Sequence, residues 1–272
     1  MRTAEDVAEN LIFPEKAEEK RKERKERGEP CEETPKGKNI RRMASLERSK
    51  ESVVREIAED ARKRNEDGSR PTVILMDGAR GLWALILKVF SGMDSVGILD
   101  IIHVTEYLWK AGNALYGEKT AEGKQWVHRQ LLSILRGNAG RVIGGMKQTL
   151  KKRKLKDSQR KALKTAVQYF ENHREWMKYD EYLQAGYPIG TGVVESTCGR
   201  TVKARMEGGG RRWSVTGAES VLLLRSVYTS GDWDAYRQAH MRFERERLYG
   251  GVLKALSVSD DYFESEEIKK AA

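Results

Sequence analysis

The chain has 272 residues, 39% of them hydrophobic, which is enough for one sizeable core or two small ones. Its net charge of +10 favours a polyanionic partner such as nucleic acid, although a basic protein without such a partner could have the same composition. The two cysteines, Cys31 and Cys198, form no CxxC pair, which argues against a disulfide framework or a zinc knuckle. The sequence has no apolar leader and no apolar run of about 18 residues, so we expect a soluble, cytoplasmic protein.

The first 70 residues are dense in charge. Residues 15–27 (EKAEEKRKERKER) contain almost no apolar side chain and indicate either a solvated helix or a disordered segment. Residues 45–64 place apolar side chains at helical spacing and predict an amphipathic helix that docks on the next part of the chain.

Two short apolar runs predict buried strands. The first is Thr72–Met76 (TVILM) and the second is residues 96–102 (VGILDII), and a helix-length apolar segment, residues 79–90, lies between them. Runs of this length without polar alternation are typical of parallel strands covered on both faces. The order strand, helix, strand predicts a right-handed βαβ crossover.

Helical periodicity dominates the sequence from residue 104 to about residue 183 and predicts four or five helices. Within this block, residues 147–164 (KQTLKKRKLKDSQRKALK) are strongly basic. They could form a solvated helix pair around a turn or a surface that faces DNA, and the sequence does not separate the two. The loop 186–192 (GYPIGTG) comes next, and further helices are predicted at 193–204, 216–228 and 233–247.

Three carboxylates occupy positions that favour chemistry. Asp77 directly follows the first strand, Asp100 lies near the end of the second, and Glu195 follows the GYPIGTG loop. Sites in open α/β sheets form beyond the carboxyl ends of strands. Converging carboxylates need counter-ions, and Mg²⁺ or Mn²⁺ is the natural choice. Taken singly, Asp77 could equally be a turn residue and Glu195 a first-turn residue favoured by the helix dipole.

Three runs in this order resemble the ISKra-type family of bacterial insertion-sequence transposases. They are VILMDGARGLW (73–83), ILDIIHVTEYLW (98–109) and PIGTGVVESTCGRTVKARMEGGGRRW (188–213). The plan is also similar to that of Mutator-like transposases, and the match covers nearly the whole chain.

The resemblance implies an α/β fold with a partial RNase H-like sheet, a large all-α insertion and C-terminal helices. It implies that Asp77 and Glu195 are the second Asp and the Glu of a DDE triad, catalytic and binding Mg²⁺ or Mn²⁺ in a two-metal site. Asp100 and His103 match a [C/D]xxH pair that shapes the site without holding the metals directly.

The same resemblance predicts five segments. They are a charged N-terminal segment (1–70), part of the catalytic core (71–103), the helical insertion (104–185), the C-terminal part of the core with Glu195 (186–250) and an acidic tail (251–272). The family's first catalytic Asp lies upstream of the stretch that begins here at Arg2, so we expect it to be absent and the chain to be a truncated transposase.

The expected function is metal-dependent phosphoryl transfer at transposon ends, acting on terminal inverted repeats and target DNA as a homo-oligomer and away from membranes. One alternative is an inactive remnant that binds DNA or transposase subunits, and another is a nuclease with the same core, against which the helical insertion argues. Five cations after Glu195 are predicted to bind DNA phosphates near the site: Arg200, Lys203, Arg205, Arg211 and Arg212. A solvated basic helix is the other interpretation of these cations.

Overall fold

The computed structural model describes residues 3–28, 37–191, 198–207, 210 and 212–255. These residues form two compact units. The first contains the described residues of Met1–Pro35 and Arg48–Ser196, and the second those of Lys36–Glu47 and Thr197–Ala272. Within the described ranges, no helix is long and apolar enough to cross a membrane.

The first unit contains a two-stranded parallel sheet, as the two apolar runs predict. Strand β1 (Thr72–Met76) pairs with β2 (Ser95–Leu99), and Met76 lies opposite Leu99. Helix α4 (Arg80–Val89) connects the strands. The fold is therefore of the α/β type in a broad sense, although helices far outnumber strands among the described residues.

Both faces of this small sheet are covered. Val73 and Leu75 of β1 pack against the main helical core, whereas Ile74 and Met76 pack against α4 and helix α3 (Lys50–Arg64). Side chains of a strand alternate between its faces, so an uninterrupted apolar run is what a strand between two layers requires. The order of layers is α3 and α4, then the sheet, then the helical block.

The predicted second strand is too long. The sequence predicts a strand over residues 96–102, but the strand ends at Leu99, and Asp100 is the N-cap of helix α5 (Ile101–Tyr116). The Asp100 side chain accepts a hydrogen bond from the Ile102 backbone N–H at 3.0 Å and so supports a helical turn. His103 consequently lies in the first turn of α5 and not at the edge of a strand.

The helical block agrees with the predicted helical stretch. Apolar side chains of α5, α6, α7 and α8 fill one core together with Ile98 and Leu99 of β2. The remaining bounds are α6 Ala121–Leu135, α7 Ala139–Lys152, α8 Asp157–His173, a 3₁₀ turn at Arg174–Trp176 and α9 Tyr179–Gln184.

Two helices form in the described residues 3–28 of the charged N-terminal segment. Helix α1 (Ala4–Ile12) places Ala8 and Ile12 in the same core as the helical block. Helix α2 (Pro14–Glu26) is exposed except near Ala17, which suits its nearly all-charged sequence. Of the two alternatives for residues 15–27, the solvated helix is the one observed.

The second unit consists mainly of two helices, α10 (Val215–Ser230) and α11 (Trp233–Ala255). A π-helical turn (Gly199–Lys203) and a short helical turn (Ala204–Met206) precede them. The segment before α3 packs here, since buried Glu219 of α10 accepts hydrogen bonds from the Ser45 hydroxyl at 2.5 Å and the Leu46 N–H at 2.6 Å.

Candidate functional site

Asp77 is exposed at the carboxyl end of β1, one residue beyond the last paired position. Its Oδ1 accepts a hydrogen bond from the Ala79 N–H at 3.1 Å, and its carbonyl accepts one from the Trp83 indole N–H at 2.8 Å. Its Oδ2 accepts no hydrogen bond from the residues that the structure describes. The side chain is thus held at the turn by one of its two carboxylate oxygens.

Gly78 is needed at this turn because helix α8 approaches it closely. A Cβ atom on Gly78 would lie 2.3 Å from the Tyr169 ring and 2.7 Å from its hydroxyl oxygen. Real Cβ atoms do not come so close, so a larger residue would displace Tyr169 or the turn. The glycine at position 78 is therefore explained by the packing of α8 against the end of β1, and the preceding Asp77 places a carboxylate at the same turn.

Asp100 lies on the neighbouring strand end and is completely buried. Its Oδ1 accepts from the backbone N–H groups of Ile102 at 3.0 Å and Thr191 at 3.2 Å. Its Oδ2 is bonded to His103 Nδ1 at 2.9 Å and accepts a short hydrogen bond from the Thr191 hydroxyl. A carboxylate has about four acceptor sites, and all four are used here.

These four bonds connect three segments of the first unit. Asp100 joins the end of β2, the first turn of α5 and the loop at Thr191, and the Ile101 N–H donates to the Ile189 carbonyl at 2.9 Å beside it. Because a carboxylate only accepts hydrogen bonds, His103 Nδ1 carries the proton and donates it to the hydrogen bond with Asp100 Oδ2. His103 keeps 31% of its side chain exposed.

The same bonds bring a distant part of the chain back to the sheet edge. Thr191 lies 91 residues beyond Asp100 in sequence and is held directly against it. Glu195 lies outside the described residues, so its position relative to Asp77 stays a prediction.

A shallow cleft of about 530 Å³ opens beside Gly78. Its floor includes Tyr169, stacked on Tyr107 at 3.8 Å between ring centroids, and His173. Tyr169 Oη and His173 Nε2 are buried and have no hydrogen-bond partner among the described residues. Burial, then the nearby Tyr107 and the Asp77 carboxylate, raise the pKa of the Tyr169 hydroxyl, so that it stays a neutral donor.

Comparison of the chain with models of protein families, with curated proteins and with solved structures finds no match. Among the described residues, no group of three or more His, Cys, Asp or Glu side chains is arranged to hold a metal ion. Asp77, Asp100 and the Thr191 loop are therefore the features of this sheet edge that bear on function.

The cations predicted to bind DNA belong to the second unit. Lys203, Arg205 and Arg212 are exposed on or after its short helical turns. Arg211 and the side chain of Arg200 lie outside the described residues. Their proximity to Asp77 stays a prediction.

Sequence reasoning missed the polar residues that support the edge. In the sequence, Thr191 is only one residue of a glycine-marked loop, and Tyr169 and His173 lie in a stretch whose helical period draws attention to its apolar residues. A signal was present, because Tyr169 and His173 stand four residues apart on the face of α8 that also carries the buried Ala166 and Phe170. Polar groups on an apolar helical face are uncommon and need a partner.

Proposed function

We propose that this chain carries part of the active site of a DNA transposase with an RNase H-like core. It would catalyse metal-dependent phosphoryl transfer at transposon ends, in the cytoplasm, on terminal inverted repeats and target DNA, as a homo-oligomer. One observation supports this most: Asp100 anchors the Thr191 loop at the sheet edge that displays Asp77. Glu195 follows Thr191 by four residues in the sequence.

Asp77 and Glu195 are the residues that would hold Mg²⁺ or Mn²⁺. Asp77 fits this role because it is exposed and has one carboxylate oxygen without a partner among the described residues. Asp100 does not fit, since all its acceptor sites are filled by protein donors. The chemistry that such an ion would supply when bound is activation of an attacking hydroxyl and stabilisation of the leaving oxygen of a phosphodiester.

The chain's own residues position the reacting groups. The Ala79 N–H and the Trp83 indole fix the turn on which Asp77 stands. Asp100 orients His103 and holds the Thr191 loop, and both are positioning roles. Holding such groups within a few tenths of an ångström is what in-line phosphoryl transfer requires.

The test replaces Asp77 by Asn in the protein expressed from its natural reading frame, with any codons that precede Met1 in frame. The amide keeps an acceptor for the Ala79 N–H but removes the charge. We expect nicking and joining of DNA that carries the element's ends to fall at least about 100-fold in Mg²⁺ or Mn²⁺. Glu195→Gln should have a similar effect.

Asp94→Asn is the matched control. Asp94 is an exposed aspartate just before β2, at the opposite end of the same sheet, and its replacement should leave activity unchanged. If Asp77→Asn and Asp94→Asn behave alike, the site is misassigned. If the unaltered protein binds the ends but never cuts or joins them, the chain is the binding remnant of a transposase.

A further inference from the structure

The α7–α8 turn, taken here as residues 147–164 with the end of α7 and the start of α8, carries most of the excess charge of the molecule. Residues 147–164 contain nine basic side chains and one acidic one, a net +8 of the chain's +10. The other 254 residues are nearly balanced. A polyanion that binds this protein through its net charge is therefore attracted mainly to this turn.

The cations are displayed outward because both helices bury their apolar faces. The buried apolar side chains of α7 are Ala139, Val142, Ile143 and Met146. Those of α8 include Leu163, Ala166, Val167 and Phe170. The Arg160 guanidinium donates to the Leu150 carbonyl at 3.3 Å and so joins the two helices beside the turn. The turn is a folded part of the first unit.

Few carboxylates neutralise these cations. Lys147 pairs with Glu171 at 2.5 Å, whereas Lys152, Lys154, Lys161 and Lys164 are exposed and form no ion pair with any described residue. Lys151 and Lys152 are favoured by the carbonyl end of α7, as the helix dipole explains. The cations farther along, on α8, have no such local reason.

The exposed face of α8 leads from the turn to the candidate site. Lys161, Lys164, Gln168 and Asn172 recur every three or four residues and so share one face of the helix. Lys164, Gln168 and Asn172 also line the cleft beside Gly78, the residue after Asp77. From Lys156 to Asn172 the helix rises about 24 Å, which matches about seven base pairs of a duplex.

The composition of this surface favours nucleic acid over a membrane. Its apolar residues are buried in the core or, like Leu150 and Leu155, partly buried against it, so none is left to insert between lipids. A face of exposed Lys and Gln with half-buried Asn172 is typical of a surface that contacts phosphates. We propose that the α7–α8 turn and this face of α8 bind the backbone phosphates of duplex DNA and lead the strand towards Asp77. The choice of DNA rests on the proposed transposase function.

The test neutralises three cations of this surface, Lys152→Gln, Lys154→Gln and Lys161→Gln, in the full chain. The control neutralises three cations of exposed helix α2, Lys22→Gln, Arg24→Gln and Lys25→Gln, and so changes the net charge equally. Affinity for a duplex of arbitrary sequence is measured in EDTA over a series of salt concentrations. Circular dichroism checks that each variant folds.

We expect the turn variant to bind roughly 10- to 100-fold more weakly at 0.1 M salt. The salt slope, which is the slope of log affinity against log salt concentration, should fall in magnitude by about 2 to 3, because each neutralised phosphate contributes about 0.9 to it. The control should change either quantity far less. Equal losses in the two variants would mean that net charge alone is acting, and an unchanged slope would mean that the turn does not touch the duplex. Preference for an RNA duplex of the same sequence would overturn the assignment to DNA.

Binding in EDTA requires no catalysis, so the two proposals fail separately. If the turn variant has a reduced salt slope but the unaltered protein never cuts DNA, the proposed transposase activity fails and the proposed DNA-binding surface stands. If the unaltered protein transfers strands normally but the turn variant has an unchanged salt slope, the DNA-binding surface fails and the transposase activity stands.

Discussion

Asp100 is the residue on which the candidate site depends structurally, although it does not face a substrate. It is a fully buried charge, and such a group is tolerated only when hydrogen bonds replace the water that it loses. Two backbone N–H groups, a hydroxyl and an imidazole supply that replacement. Removing the charge therefore affects the strand end, the helix start and the Thr191 loop together.

We expect Asp100→Asn to lower the free energy of unfolding by about 2 to 3 kcal/mol, because an amide NH₂ would face donors where a carboxylate oxygen now accepts. Urea unfolding measures the change. Asp94→Asn, at an exposed position, should shift it by less than about 0.5 kcal/mol. A loss for Asp100→Asn no larger than that of the control would show that the observed bonds contribute nothing net.

Sequence reasoning identified Asp100 but gave it the wrong local structure. The run VGILDII has no helical or strand period of its own, and the apolar residues after Asp100 could continue a strand. Aspartate is nevertheless among the best N-cap residues, and Asp100 takes that role at the start of α5. The Thr191 contact could not be predicted, since nothing in a sequence indicates which of two residues 91 positions apart will meet.

At the scale of elements, the sheet is joined to the rest of the first unit by a pair of stacked tryptophans. Trp83 of α4 and Trp176 of the 3₁₀ turn stack at 4.1 Å between ring centroids. They lie against Gly97 in the middle of β2, where a Cβ atom would be 2.9 Å from Trp176 and 3.0 Å from Trp83. A glycine inside a strand here marks the close approach of aromatic rings.

Gly97→Ala should therefore destabilise the first unit by about 1 to 3 kcal/mol, because the added methyl group pushes the stacked rings apart. Gly145→Ala is a suitable comparison, since Gly145 is exposed within α7 and a Cβ atom there meets nothing within 4 Å. That variant should be neutral or about 0.5 to 1 kcal/mol more stable. Denaturant unfolding followed by tryptophan fluorescence decides, and equal behaviour of the two variants would contradict the packing argument.

The elements themselves were largely predictable and their packing was not. The βαβ unit and the helices of residues 101–184 follow from apolar runs and helical periods. The burial of α1 in the helical core does not, because its apolar stripe (Ala4, Val7, Ala8, Leu11 and Ile12) shows that one face is covered but not which element covers it. Packing partners of a short helix depend on shape, which a period does not encode.

At the scale of the molecule, three tyrosines connect the helical block to the sheet and its edge. The Tyr179 hydroxyl donates to the Leu99 carbonyl at 2.7 Å and the Tyr182 hydroxyl to the Gly97 carbonyl at 3.0 Å. Burial raises the pKa of both phenols, and that of Tyr169 beside Gly78. Their neutral forms are therefore part of the folded state.

A phenol whose pKa is raised by folding contributes stability that is complete below its unfolded pKa, about 10, and is lost as the pH rises through the folded value. We expect unfolding of the first unit above about pH 10, with these tyrosines ionising together with it. Tyrosinate absorbance and circular dichroism followed in one titration measure both events. Tyr179→Phe should remove one tyrosine from the coincident phase, and full ionisation of all tyrosines before any unfolding would contradict the prediction.

The path of the chain between the two units has a consequence for its synthesis on the ribosome. The segment around Ser45 and Leu46 is made early, but its partner Glu219 is made 173 residues after Leu46. At about 5 to 20 residues per second, the early segment waits roughly 10 to 35 s for its partner. Helices and the βαβ unit of the first unit form from local contacts in that interval, so the nascent chain must complete one unit while it carries an unfinished piece of the other.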